Sequence, residues 1–74
     1  MIRKYTLRFD SATDKWILKH DVSEKIVKVF ATKEDATRAG VLKKTIGRQG
    51  GFVRVFTRNG IFEEERTFPG TKDR

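Results

Sequence analysis

The sequence predicts a small α+β domain: an antiparallel sheet of about five strands in the order βββαββ, with one helix packed on one face. Three observations carry this. Residues 3–9 and 15–20 alternate apolar and polar side chains with the period of a half-buried strand. Thr32-Lys33-Glu34-Asp35 opens a segment whose alanines and aliphatics recur at helical spacing. Two β-prone runs then flank Asn59-Gly60, a dipeptide suited to the positive φ angles of a type I′ hairpin turn.

Each element follows from local chemistry. In the first strand Tyr5, Leu7 and Phe9 share one face and Lys4, Thr6 and Arg8 the other. Residues 10–14 are turn formers whose side chains bond their own backbone. Trp16 and Leu18 face one way in the second strand, Ile17 and Lys19 the other. A second turn covers residues 21–24. Residues 25–31 are β-branched enough for a third strand, but Val27 and Val29 compete with Ile26 and Phe30 for its inner face. Thr32 caps a helix over residues 33–48, with early acids at its positive end. Ala36, Ala39, Leu42 and Ile46 form its buried stripe, and Lys33, Thr37, Val41, Lys44 and Arg48 its outer face. Gly50-Gly51 ends it. A type I′ turn sets the hairpin register: Arg58 opposite Ile61, Phe56 opposite Glu63, Arg54 opposite Glu65 and Phe52 opposite Thr67. The other face pairs Thr57 with Phe62, Val55 with Glu64 and Val53 with Arg66. Pro69 stops the last strand, so residues 1–69 form one domain and 70–74 a frayed tail.

Length and charge narrow the function classes. Seventy-four residues bury a single thin core, too little for a deep substrate cavity. There are no cysteines, which removes disulfides, thiolate nucleophiles and zinc–thiolate sites. No long apolar run spans a membrane, so a cytoplasmic protein is expected. Seventeen basic and ten acidic residues leave a formal net charge of +7. The surplus is segregated, with six cations and no acid between residues 38 and 58. Such a surface draws polyanions or acidic protein patches; the plainer reading is a charge that keeps a small protein soluble.

The run of matches from Trp16 to Pro69 resembles a family of small bacterial domains of unknown function. The shared features are a Trp strand (Trp16, Leu18, Lys19), a Thr-Lys-x-x-Ala helix start (Thr32, Lys33, Ala36), the Gly50-Gly51 turn, and a hairpin ending Glu64-Glu65-Arg66-Thr67-Phe68-Pro69. Lys15 stands where that family has Gly, Asn59 where it has Asp, and Phe68 where it has Tyr. Phe52 and Phe56 replace residues that are usually polar there. The resemblance implies the fold and no activity.

No catalytic constellation stands out. His20, the one histidine, sits at a strand end beside Asp21 and reads as a surface residue. Glu63 and Glu65 share a face, where Arg54 opposite Glu65 makes a cross-strand pair the simplest reading. Glu64 and Arg66 read as partly buried and mutually neutralising. No catalytic residue, cofactor or metal is expected. Candidate partner-binding residues are Lys44, Arg48, Phe52, Arg54, Phe56 and Arg58. Rings alternating with cations suit single-stranded nucleic acid and equally a protein hot spot; alternatively Phe52 and Phe56 are core. The expected function is a non-enzymatic regulator or adaptor, monomeric or weakly self-associating, that docks on RNA polymerase or another nucleic-acid-bound complex of the transcription machinery. Small phage-encoded modulators of host transcription share its size and charge. Direct RNA or DNA binding is the alternative, and a structural homo-oligomer the third class.

Overall fold

A computed structural model of the chain describes residues 3–69; the expected C-terminal tail lies outside the described residues. The elements are β1 (Lys4–Asp10), β2 (Lys15–His20), β3 (Ile26–Phe30), α1 (Lys33–Thr37), α2 (Val41–Ile46), β4 (Gly51–Phe56) and β5 (Phe62–Phe68). They build one five-stranded sheet in the order β3-β2-β1-β4-β5, with both helices on one face.

The sheet is mixed, not antiparallel throughout. β1 pairs antiparallel with β2 through Leu7↔Leu18 and Phe9↔Trp16, but parallel with β4 through Tyr5↔Val53 and Leu7↔Val55. The twenty residues between β3 and β4 carry the chain back over the sheet, so β4 re-enters running as β3 and β1 do. A long helical crossover joins parallel strands, whereas tight turns join antiparallel ones. The core is the layer between helices and sheet: Tyr5, Leu7, Trp16, Leu18, Phe30, Val53 and Val55 from below, and Ala36, Leu42 and Ile46 from above.

The expected single helix is two. Thr32 caps α1 by accepting the Asp35 N–H at 3.0 Å, but Arg38 leaves the helical region (φ −58°, ψ 147°) and Gly40 takes φ 84°. The reason lies in the spacing of the stripe. At about 100° per residue, Ala36 and Leu42 on one straight helix would point roughly 120° apart. Breaking the rod lets both face the sheet, and leaves Ala39 exposed in the break. The Thr37 carbonyl freed there accepts Arg66 Nη1 from β5 at 3.1 Å. The second helix ends at Gly47 (φ 89°), ahead of Gly50-Gly51.

The hairpin keeps most of its expected register: Phe52↔Thr67, Val53↔Arg66, Arg54↔Glu65 and Val55↔Glu64. Its tip differs. Phe56 pairs with Phe62 rather than Glu63, which leaves Glu63 as a bulge residue and removes the Thr57–Phe62 and Arg58–Ile61 pairs. Gly60 N–H bonds Thr57 O at 2.9 Å and Thr57 N–H bonds Ile61 O at 2.8 Å. Gly60 has φ 85°, while Asn59 is not among the residues with positive φ. This is a three-residue loop closing on a left-handed glycine, not a type I′ turn. β3 also bulges, so Ile26 and Val27 together oppose Lys19; Phe30 alone of β3 is buried.

Two expectations test this geometry. Gly60→Val is expected to cost about 1–3 kcal/mol through backbone strain, and Asn59→Ala no more than about 0.5 kcal/mol; chemical denaturation reads both, and an equal loss at the two positions would restore the type I′ turn. At Gly51 (φ 145°) an added Cβ would lie 2.5 Å from the Arg3 carbonyl oxygen. Gly51→Ala is therefore expected to lose about 1–3 kcal/mol by overpacking, and unchanged denaturation of that variant contradicts the close approach.

Candidate interaction surface

The helices cover the face bearing Val53 and Val55, and among the described residues no element covers the opposite face. Alternation and register put Lys4, Thr6 and Arg8 of β1 there, with Ile17 and Lys19 of β2, Ile26 and Val29 of β3, Phe52, Arg54 and Phe56 of β4, and Phe62, Glu65 and Thr67 of β5. Phe52 and Phe56 are thus not core. Parallel pairing sets Lys4 beside Phe52 and Thr6 beside Arg54.

Rings and cations interlock on this face. The Arg8 guanidinium lies over the Phe56 ring at 4.4 Å, and Phe56 meets Phe62 edge-on with centroids 5.8 Å apart. Stacking of this kind orients the guanidinium and lowers its hydration. Phe62 stays 53% exposed, Ile26 57% and Val29 47%, so apolar area continues to the β3 edge. Between them Thr6, Arg8, Asp10, Ile17, Lys19 and Ile26 line a shallow depression of about 280 Å³.

Asp21 holds one corner. Its carboxylate accepts the Thr6 hydroxyl at 2.6 Å and Arg54 Nη2 at 2.8 Å, and its own N–H donates to Lys4 O at 2.9 Å. The guanidinium of Arg54 goes here, not to Glu65 across the strand as expected. Burial pushes the Asp21 carboxyl upward, but the Thr6 and Arg54 hydrogen bonds and the nearby positive charges outweigh it, and the pKa falls below its ordinary 3.8.

The six candidate residues do not form one site. Phe52, Arg54 and Phe56 share the uncovered sheet face. Arg58 does not join them, because the altered hairpin tip turns it toward the helix-side end. There it lies 4.3 Å over the Phe9 ring and 3.4 Å from Asp14, on the wall of a groove that Trp16, Thr32 and Lys33 also line. Lys44 and Arg48 stand on and just after α2, in the layer above the sheet. The supposed outer helix face also divides. Lys33 pairs with Glu63 and lies over Trp16, Thr37 donates its hydroxyl to Lys33 O, and Val41 packs on the core. Glu64 and Arg66 do bond each other, at 3.0 Å. His20 is half-buried, edge-on to Tyr5 at 5.2 Å.

Lys4, Arg8, Ile17, Lys19 and Phe62 belong to the sheet face but were not among the expected contact residues. The length of the crossover allows β4 to run parallel to β1 but does not choose β1 as its neighbour. Among the described residues no three His, Asp or Glu side chains are grouped to hold a metal ion, and no helix is long and apolar enough to cross a membrane. Comparison with family models, curated proteins and solved structures gave no match.

The Asp21 bridge carries a pH expectation. A carboxyl whose pKa is lower in the folded than in the unfolded state stabilises the fold above its unfolded value, and that contribution is lost as pH falls through the folded value. Below about pH 4 the stability gap between wild type and Asp21→Asn is expected to close, while at pH 6 wild type is the more stable. Urea denaturation at pH 3 and pH 6 measures this; a gap that stays constant removes the bridge as a stabilising feature.

Proposed function

We propose that this protein is a non-catalytic docking domain of the transcription machinery, which acts by laying its uncovered sheet face on an acidic protein surface of a nucleic-acid-bound complex such as RNA polymerase. The observation that carries this is the Arg8–Phe56–Phe62 cluster on a face that no helix covers. Aromatic rings and arginine dominate interface energetics, and a cation held on a ring engages a carboxylate with less ordering cost than a solvated chain. Lys4 and Lys19 flank the cluster and supply long-range attraction to negative charge.

Direct binding of single-stranded nucleic acid is the second reading, since a sheet bearing rings and cations suits stacked bases. Arg8 already occupies one side of Phe56 and Phe62 meets its edge, which leaves less open ring surface for bases. That arrangement favours the protein partner.

The test is titration of fluorescently labelled protein with purified bacterial RNA polymerase. Wild type is expected to bind, and Phe62→Ala and Phe56→Ala each to weaken binding about tenfold or more, as hot-spot truncations do. Arg8→Glu is expected to weaken it as well, with only a shallow salt dependence overall. Absence of polymerase binding, or binding indifferent to all three substitutions, overturns the reading. Oligonucleotide binding that these three substitutions abolish would transfer the face to nucleic acid.

A further inference from the structure

We infer that a second basic surface, built on α2 in the layer above the sheet, binds the phosphodiester backbone of nucleic acid. Its core is a line along α2. Gly40, Lys44 and Gly47 are four and three residues apart, so at 3.6 residues per turn they fall on one side, with Lys43 and Arg48 flanking them. These five residues line a depression of about 380 Å³. A Cβ added at Gly40 or Gly47 would meet nothing within 4 Å. The backbone at both ends of the line is therefore open to close approach, and three cations surround it.

Charge points to the ligand class. No acid stands between Asp35 and Glu63 in the sequence, and among the described residues neither Lys43 nor Lys44 is in an ion pair with a carboxylate. Aromatic side chains are absent from the lining, so no ring is there to stack a base, and the cations favour phosphate as the recognised group. A surface of this kind positions a nucleic acid without reading its sequence. The uncovered sheet face lies on the opposite side of the core, so both surfaces can be occupied together. The α2 surface stands independently of the function proposed for the sheet.

The test is fluorescence anisotropy with a 20-base-pair DNA duplex and a 20-nucleotide single strand, each in two unrelated sequences, at 50–200 mM salt. Wild type is expected to bind all four with similar affinity, and for the duplex log affinity is expected to fall with log salt at a slope of about −2 to −3, or about −0.9 per phosphate neutralised. The doubly reversed variant Lys43→Glu/Lys44→Glu is expected to bind at least tenfold more weakly, with a slope about 2 units shallower. Lys25→Glu/Lys28→Glu makes the same change in net charge at the β3 edge and is expected to stay within about threefold of wild type. The sheet-face variants Arg8→Glu and Phe62→Ala are expected to bind oligonucleotide as wild type does, whatever they do to polymerase binding. No binding by wild type at 50 mM salt, equal losses in the two charge-reversed pairs, or loss confined to the sheet-face variants would each overturn the assignment. All variants are exposed surface substitutions, and circular dichroism confirms their folding before titration.

Discussion

The whole arrangement depends on how closely β4 lies against β1. Phe52 N–H bonds Arg3 O at 2.8 Å, and Gly51 sits where any side chain would strike that same carbonyl. This contact seats β4 beside the central strand in parallel and sets Val53 against Tyr5 and Val55 against Leu7. Leu7, Leu18, Val53 and Val55 are then wholly enclosed. In a chain this short few other apolar groups are buried as completely, so the packing at this junction contributes a large share of the stability. The same junction decides the uncovered face. It brings the cations of β1 beside the rings of β4, so the surface chemistry is a consequence of the core pairing.

Much of this was legible from residue types and much was not, and the division has physical causes. Strands β1 and β2 were readable because one of their faces is buried and the other wet, which writes the period into the sequence. The α1 cap was readable because a Thr hydroxyl followed by acids serves few other purposes. The register of the hairpin from Phe52 to Val55 followed from a type I′ turn that does not form; it survives because the Glu63 bulge offsets the extra loop residue. The turn itself was not readable: Asn59-Gly60 fits a two-residue loop and also the last two positions of a three-residue loop, and only the Thr57–Ile61 pairing distinguishes them. That one-residue difference moved Arg58 to the other side of the molecule. The split helix was concealed because Ala36, Ala39, Leu42 and Ile46 look like one stripe until the angle between Ala36 and Leu42 is considered. A parallel direction for β4 was available in principle from the twenty-residue crossover, but its pairing with β1 was not. Turn-by-turn reading passes over it, since pairing between distant strands leaves no local mark.

The edges show how an uncovered sheet of this composition stays discrete. Each edge strand carries a bulge, at Ile26–Val27 in β3 and at Glu63 in β5, and β5 places three consecutive glutamates along its border. Bulges and charges on edge strands hinder continuation of the sheet into a neighbouring molecule. Such protection is consistent with a face that engages its partner by side chains rather than by adding a strand.

The separation of cationic groups alters the meaning of the net charge. A uniform excess acts mainly through solubility. Here Arg54 is bonded to Asp21, Arg58 lies against Asp14, Lys33 meets Glu63 and Arg66 meets Glu64. These four pairs tie turns, helix and strands together and remove much of their own charge from the long-range field. Of the cations outside those pairs, Lys4, Arg8 and Lys19 gather on the sheet face and Lys43 and Lys44 on α2, while Lys15, Lys25 and Lys28 lie apart from both sets. The first set is mixed with rings and aliphatic side chains, which require a partner that excludes water. The second surrounds bare backbone, which suits a partner that keeps its own hydration and offers closely spaced negative charge. On the two proposals made above, a domain of one thin core would join two unlike partners by turning a different chemistry to each side.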